Sequence, residues 1–140
     1  DKNLDIRLNT YIFKSAKKNN TIIFHNSSNN SKIKILKNKK ILLIKSRLDN
    51  KKRFILNLIF KRLFSLGIRN LLIEGGDKIT RYILIHRLAN QFYLFKSPKN
   101  LLRNKKSVIF TSYSILKKNY KVKSKIITKL AKDNITIYKR

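Results

Sequence analysis

The sequence predicts an α/β protein in which a mostly parallel central sheet is flanked by helices and followed by a C-terminal antiparallel hairpin. Three observations lead there. Short β-rich runs bounded by polar clusters occur at Thr21–His25 and Ile41–Lys45, as strands covered on both faces do. Between Phe54 and Leu66 the apolar period changes to that of a helix. Near the end, Lys121–Lys129 and Ile135–Tyr138 are two β-rich runs separated by Ala131-Lys132-Asp133-Asn134, the pattern of a hairpin with a four-residue turn.

Taken in order, Asn19–Asn30 and Leu48–Arg53 are polar at their edges and read as surface turns, and Asn26-Ser27-Ser28-Asn29-Asn30-Ser31 is a loop by composition. Ile55, Leu58, Ile59, Arg62, Leu63 and Leu66 recur at helical spacing, with Gly67 where a left-handed residue ends a helix. Asn70–Glu74 then reads as a further buried strand, Gly75-Gly76 as a sharp turn, and Lys78–Leu88 as a second helix. Alternating strands and helices imply parallel pairing with right-handed crossovers. The strand ending at Glu74 is expected at the centre of the sheet, flanked by the two helices. Gln91–Lys96 is another strand, stopped by Pro98.

A length of 140 residues suits one domain, and the 42% of hydrophobic residues run from end to end, which excludes global disorder. The longest apolar run, Phe54 to Phe60, is interrupted by Asn57 and falls short of the ~20 residues that span a bilayer. The first four residues lack the features of a secretory signal, so a soluble, cytoplasmic chain without membrane partners is expected. There is no cysteine, and His25 and His86 stand without clustered carboxylates; no metal site is expected, and both histidines read as structural or surface residues. There is also no methionine, so Asp1 is read as the start of a processed, trimmed or partial chain.

Thirty-five Lys and Arg against six Asp and Glu give a net charge of +29. Such a balance favours polyanions, and a basic, non-enzymatic nucleic-acid-binding module is the alternative function. Against it, Lys, Asn and Ile are abundant together, as AT-rich coding sequence produces, and the lysines are scattered through every segment. No aromatic RNA-binding strand pair stands out. Specific nucleic-acid recognition is not expected, and binding driven by charge alone should collapse as salt rises.

One stretch carries chemistry. Of three glycines in the chain, two are adjacent at Gly75-Gly76, directly after Glu74, the only glutamate. In open α/β sheets, ligands bind at the C-terminal ends of the strands. Paired glycines allow close backbone approach, and the following helix offers free N–H groups to phosphate. The bland alternative is a plain strand-to-helix turn, with Glu74 a surface acid paired to a lysine; the GxGxxG fingerprint is absent.

The run Leu66-Gly67-Ile68-Arg69-Asn70-Leu71-Leu72-Ile73-Glu74-Gly75-Gly76, followed by Ile79, Leu84, Leu88-Ala89-Asn90-Gln91, Tyr93 and Ser97-Pro98, is similar to the pyrimidine reductase domain of the bifunctional riboflavin-biosynthesis deaminase-reductase. That family shows a helix ending in glycine, a strand closing on Glu-Gly-Gly, a helix, Leu-Val-Asp-Glu, and a strand running to Ala-Pro. Asp1-Lys2-Asn3-Leu4 resembles the segment after the family's central Val-Leu-Asp strand. The match is strongest over Phe54 to Pro98.

The resemblance implies a dihydrofolate-reductase-like fold that uses NADPH to reduce 5-amino-6-(5-phosphoribosylamino)uracil at the ribose C1′. It assigns substrate binding to Glu74 and cofactor binding to Gly75, Gly76, Asp77, Lys78, Ile79 and Thr80. For the complete protein the resemblance implies a homodimer, with an upstream deaminase domain as in the bifunctional members. Departures are Asn90-Gln91 for the family's Asp-Glu, Lys2 for its Ser or Thr, and no glycine in Lys99–Lys106. The family's first reductase strands precede the position of Asp1, so these residues alone are not expected to complete an active site.

Overall fold

A computed structural model describes residues 1–18, 20–97, 110–127 and 133–140. The chain divides into two compact units, Asp1–Leu71 and Leu72–Arg140.

The first unit contains α1 (Tyr11–Ser15), β1 (Ile22–His25), α2 (Asn30–Asn38), β2 (Leu42–Lys45) and α3 (Leu56–Ser65). β1 and β2 pair in parallel, Ile22 beside Leu42 and His25 beside Lys45. Parallel neighbours need a crossover of a dozen or more residues, and α2 supplies it. The Asn-Ser cluster expected to be loop throughout does cap this helix: Asn29 Oδ1 accepts from the Lys32 N–H at 2.9 Å. Leu36 on α2 is fully buried with Leu4, Phe13, Ala16, Ile23 and Ile41. The Leu48–Arg53 turn is present, organised by the Asp49 carboxylate, which accepts from the backbone N–H of Lys51 and Arg53 and pairs with the Arg53 guanidinium at 2.9 Å.

Helix α3 ends as its sequence predicts. Gly67 adopts φ +83° with open space around it, so backbone conformation alone calls for glycine there. The N–H groups of Gly67 and Ile68 return to the carbonyls of Phe64 and Leu63, which satisfies the last turn.

The second unit contains α4 (Asp77–Ile85), β3 (Gln91–Lys96), α5 (Tyr113–Asn119), β4 (Lys121–Ile127) and β5 (Asn134–Lys139). Its sheet has the order β3-β5-β4, antiparallel throughout, so the C-terminal hairpin is found and its second strand is central. Leu84, Leu116, Tyr120 and Tyr138 form the core, with Phe92 and Leu94 packed against them. The Tyr120 hydroxyl reaches the Ala89 carbonyl at 3.0 Å. Pro98, Lys99–Lys106 and the Ala131-Lys132 part of the expected turn lie outside the described residues.

Three expectations are corrected. Asn70–Glu74 enters no ladder among the described residues, and Leu71, Leu72 and Ile73 are 48%, 79% and 38% exposed. It therefore forms no central strand: an apolar run favours extension, yet becomes a strand only with neighbours to hydrogen-bond. Among the described residues the sheets are not mostly parallel, since one ladder is parallel and two are antiparallel. Nor is β2 covered on both faces, since Leu42 on it is 46% exposed. Among the described residues, no helix is long and apolar enough to cross a membrane.

Candidate functional site

The chain leaves Gly67, passes through Leu71–Glu74 without regular secondary structure and enters α4 at Gly75-Gly76. The two glycines differ. A Cβ on Gly75 would overlap Ile79 Cγ2, so this glycine lets the first turn of α4 pack back on the entering chain. A Cβ on Gly76 would meet nothing within 4 Å. Neither has a positive φ.

Gly76 is the N-cap residue of α4, with no side-chain capping bond. Its carbonyl accepts from the N–H groups of Ile79 and Thr80, both at 3.2 Å. Those of Asp77 and Lys78 have no acceptor within the helix and add to the partial positive charge at this end. The Lys78 side chain is exposed, while Ile79 and Thr80 are half-buried.

Asp77 has partners that the spacing of the motif does not reveal. Its carboxylate accepts from the Thr111 hydroxyl at 2.7 Å, and from the Thr111 N–H and the Ser112 hydroxyl at 3.3 Å each. It thereby ties the start of α4 to the start of α5. The Thr111 hydroxyl is the main reason its pKa lies below the ordinary 3.8, with the other two donors and Arg81 contributing and desolvation opposing. Thr111 and Ser112 lie more than thirty residues further along the chain, and no local pattern marks them.

Glu74 is exposed and makes no hydrogen bond or ion pair among the described residues; the surface pairing with lysine is not formed there. The structure thus places Glu74, Gly75, Gly76, Asp77, Lys78, Ile79 and Thr80 on one continuous turn and helix start. Two shallow surface depressions, one beside Asp49 and one beside Leu42, both lie in the first unit.

The other singled-out residues are elsewhere. His86 is exposed, its ring tilted 41° against Tyr82 with centroids 4.2 Å apart. His25 closes β1, 5% exposed, and its Nδ1 has no hydrogen-bond partner among the described residues. Burial lowers its pKa, assisted by nearby positive charges and opposed by the Ser27 backbone. The Lys2 carbonyl accepts from the Asn26 N–H at 2.8 Å. Asn90 and Gln91, in place of the acidic pair, accept from the Arg140 N–H and the Tyr93 hydroxyl respectively. No three His, Asp or Glu residues gather as metal ligands among the described residues.

No family model matches the chain, and no curated protein is recognisably similar to it in sequence. Among solved structures, a pyrimidine reductase-like protein from Corynebacterium diphtheriae superposes with a TM-score of 0.72 at 15% identity. The match covers 99% of this chain and 58% of that protein, so the chain spans less than two thirds of its neighbour's length. Over essentially all its residues, this chain has the fold of part of a pyrimidine reductase-like protein.

Proposed function

We propose that this chain is the later part of a dihydrofolate-reductase-like pyrimidine reductase domain that uses NADPH on 5-amino-6-(5-phosphoribosylamino)uracil, in riboflavin biosynthesis. The observation that supports this most is the likeness to the C. diphtheriae protein across 99% of the chain. The similarity of the Glu74-Gly75-Gly76 run to the family's motif points the same way.

The residues present suit a nucleotide cofactor. Gly76 leaves open space beside the backbone, and the N–H groups of Asp77 and Lys78 are suited to phosphate oxygens. The exposed Lys78 ammonium adds positive charge. Asp77 would be unfavourable beside phosphate, but its carboxylate is engaged by Thr111 and Ser112. Ile79 and Thr80 carry the turn that holds these groups in place. When bound, the cofactor supplies the hydride; the protein contributes position and exclusion of water. Glu74 is free to accept hydrogen bonds from sugar or pyrimidine donors of the substrate, fixing its orientation.

Gly76→Val and Glu74→Gln separate these roles. NADPH titration followed by nucleotide fluorescence should show weaker binding for Gly76→Val and nearly unchanged binding for Glu74→Gln. In a protein that carries this chain together with the rest of the reductase domain, Glu74→Gln should lower kcat/KM about 10–150-fold, the loss of a charge-assisted hydrogen bond made to the substrate. Unchanged turnover in a folded, NADPH-binding Glu74→Gln variant would remove Glu74 from the site. No NADPH binding by the intact parent protein would overturn the cofactor assignment.

A further inference from the structure

The three-stranded sheet of the second unit buries one side over β3 and β5 only, for Val122 and Ile127 of β4 on that side are 50% and 76% exposed. Side chains directly opposite each other on neighbouring strands project to the same side, so the register sorts them. Phe92, Leu94 and Tyr138 belong to the core. The alternate positions form the outer face: Phe95 lies beside Ile135 and Ile135 beside Ile126, while Tyr93 lies beside Ile137. Phe95 is 68% exposed, Ile126 48% and Tyr93 47%. The same face ends in lysine, with Lys139 opposite Lys121.

We propose that this outer face is a platform for single-stranded nucleic acid, a function independent of the reductase reading. Tyr93 and Phe95 are two residues apart on one strand, which sets them about 7 Å apart along it. That separation lets successive unstacked bases of an extended strand each meet a ring, and such stacking tolerates any base. The Tyr93 hydroxyl donates to Gln91 Oε1 at 2.9 Å, which holds one ring in place before binding.

Lys121 and Lys139 add a separate observation. Like charges directly opposite each other destabilise a sheet, and neither lysine forms a salt bridge among the described residues. A phosphate lying along the strand end would relieve that repulsion. Lysines scattered over a surface attract any polyanion; two exposed rings on a sheet face that ends in a facing lysine pair, level with Gln91, distinguish one chemistry. A duplex keeps the faces of its bases stacked inside and has nothing to offer the rings, so discrimination between single strand and duplex separates this site from charge alone.

The test uses the full 140-residue chain and fluorescence anisotropy of a labelled oligouridylate of about 12 nucleotides, at ~150 mM salt. The single strand should bind more tightly than a duplex of equal length. Phe95→Ala and Tyr93→Ala should each weaken it about tenfold, with Phe95→Trp restoring affinity. Both positions are exposed, so their replacement empties no core. Joint replacement of Lys121 and Lys139 by serine should reduce the salt dependence while the preference for single strands survives. Equal or tighter duplex binding, or an unchanged Phe95→Ala variant, would overturn the proposal. So would binding to phosphatidylserine vesicles that depends on Phe95 while the oligonucleotide fails to bind.

Discussion

The two units organise similar apolar runs in different ways. In the first, two four-residue strands pair in parallel, and the core is completed largely by side chains from helices and the leading segment, Phe13, Leu36 and Leu4 among them. In the second, strands of six and seven residues pair through two antiparallel ladders, and the central strand contributes Tyr138 to the core. An antiparallel pair needs only a turn, whereas each parallel neighbour needs a crossover. The difference bears on Asn70–Glu74: an apolar run of strand-like length joins no ladder among the described residues, because pairing depends on which strands lie alongside and not on the run itself.

The largest effects should come from fully buried leucines, here one from each unit. Leu84→Ala and Leu36→Ala should each cost about 2–5 kcal/mol, through lost burial and the cavity left behind. Amide hydrogen exchange distinguishes where that cost falls. Leu84→Ala should raise exchange in β3, β4 and β5 and spare β1 and β2, and Leu36→Ala should do the reverse. Equal deprotection of both regions by either variant would break the comparison and show that the units open as one.

A smaller effect separates the two adjacent glycines. Gly75→Ala should cost about 1–3 kcal/mol in urea denaturation, because its methyl group meets Ile79. Gly76→Ala should cost less than about 1 kcal/mol, the difference between these residues at an N-cap. Pairing Gly75→Ala with Ile79→Ala should be less damaging than the sum of the two changes, since they share one contact. Full additivity would mean that Gly75 is required for some reason other than Ile79.

The smallest effect concerns pH. The folded state depresses the pKa of His25, chiefly by burial, below its ordinary 6.5. Its contribution is therefore complete above pH 6.5 and is lost as pH falls through the folded value, because the unfolded chain takes up the proton first. Thermal melts between pH 5 and 8 should decline on the acidic side, and His25→Asn should flatten that decline. A variant with the parent's pH profile would place the acid sensitivity elsewhere, for instance at Asp49 or Asp77, whose depressed pKa values act in a lower range.

Several elements were legible from residue order because their causes are local. The period of Ile55, Ile59 and Leu63, with a left-handed Gly67, marks α3 and its end; Gly75-Gly76 marks the entry to α4; Gln91–Lys96 marks a strand, and the last two β-rich runs mark the antiparallel hairpin. The helix α2 was hidden by its composition, although Asn29 as a cap and Ile33 with Leu36 on one face were available as signals. The short α1 and α5 offer too few turns for a period to emerge.

By itself, the sequence determined the α/β character, the positions of β1 to β5 and of α3 and α4, and the joining of Glu74, Gly75 and Gly76 to a helix start, since each depends on neighbours a few residues away. Tertiary structure alone decided that β5 is central, that Asn70–Glu74 joins no ladder among the described residues, that Asp77 meets Thr111 and Ser112, and that Tyr93 and Phe95 are exposed. Those outcomes depend on contacts between distant segments, and a hydrophobic period specifies which side of an element is apolar without specifying what will cover it.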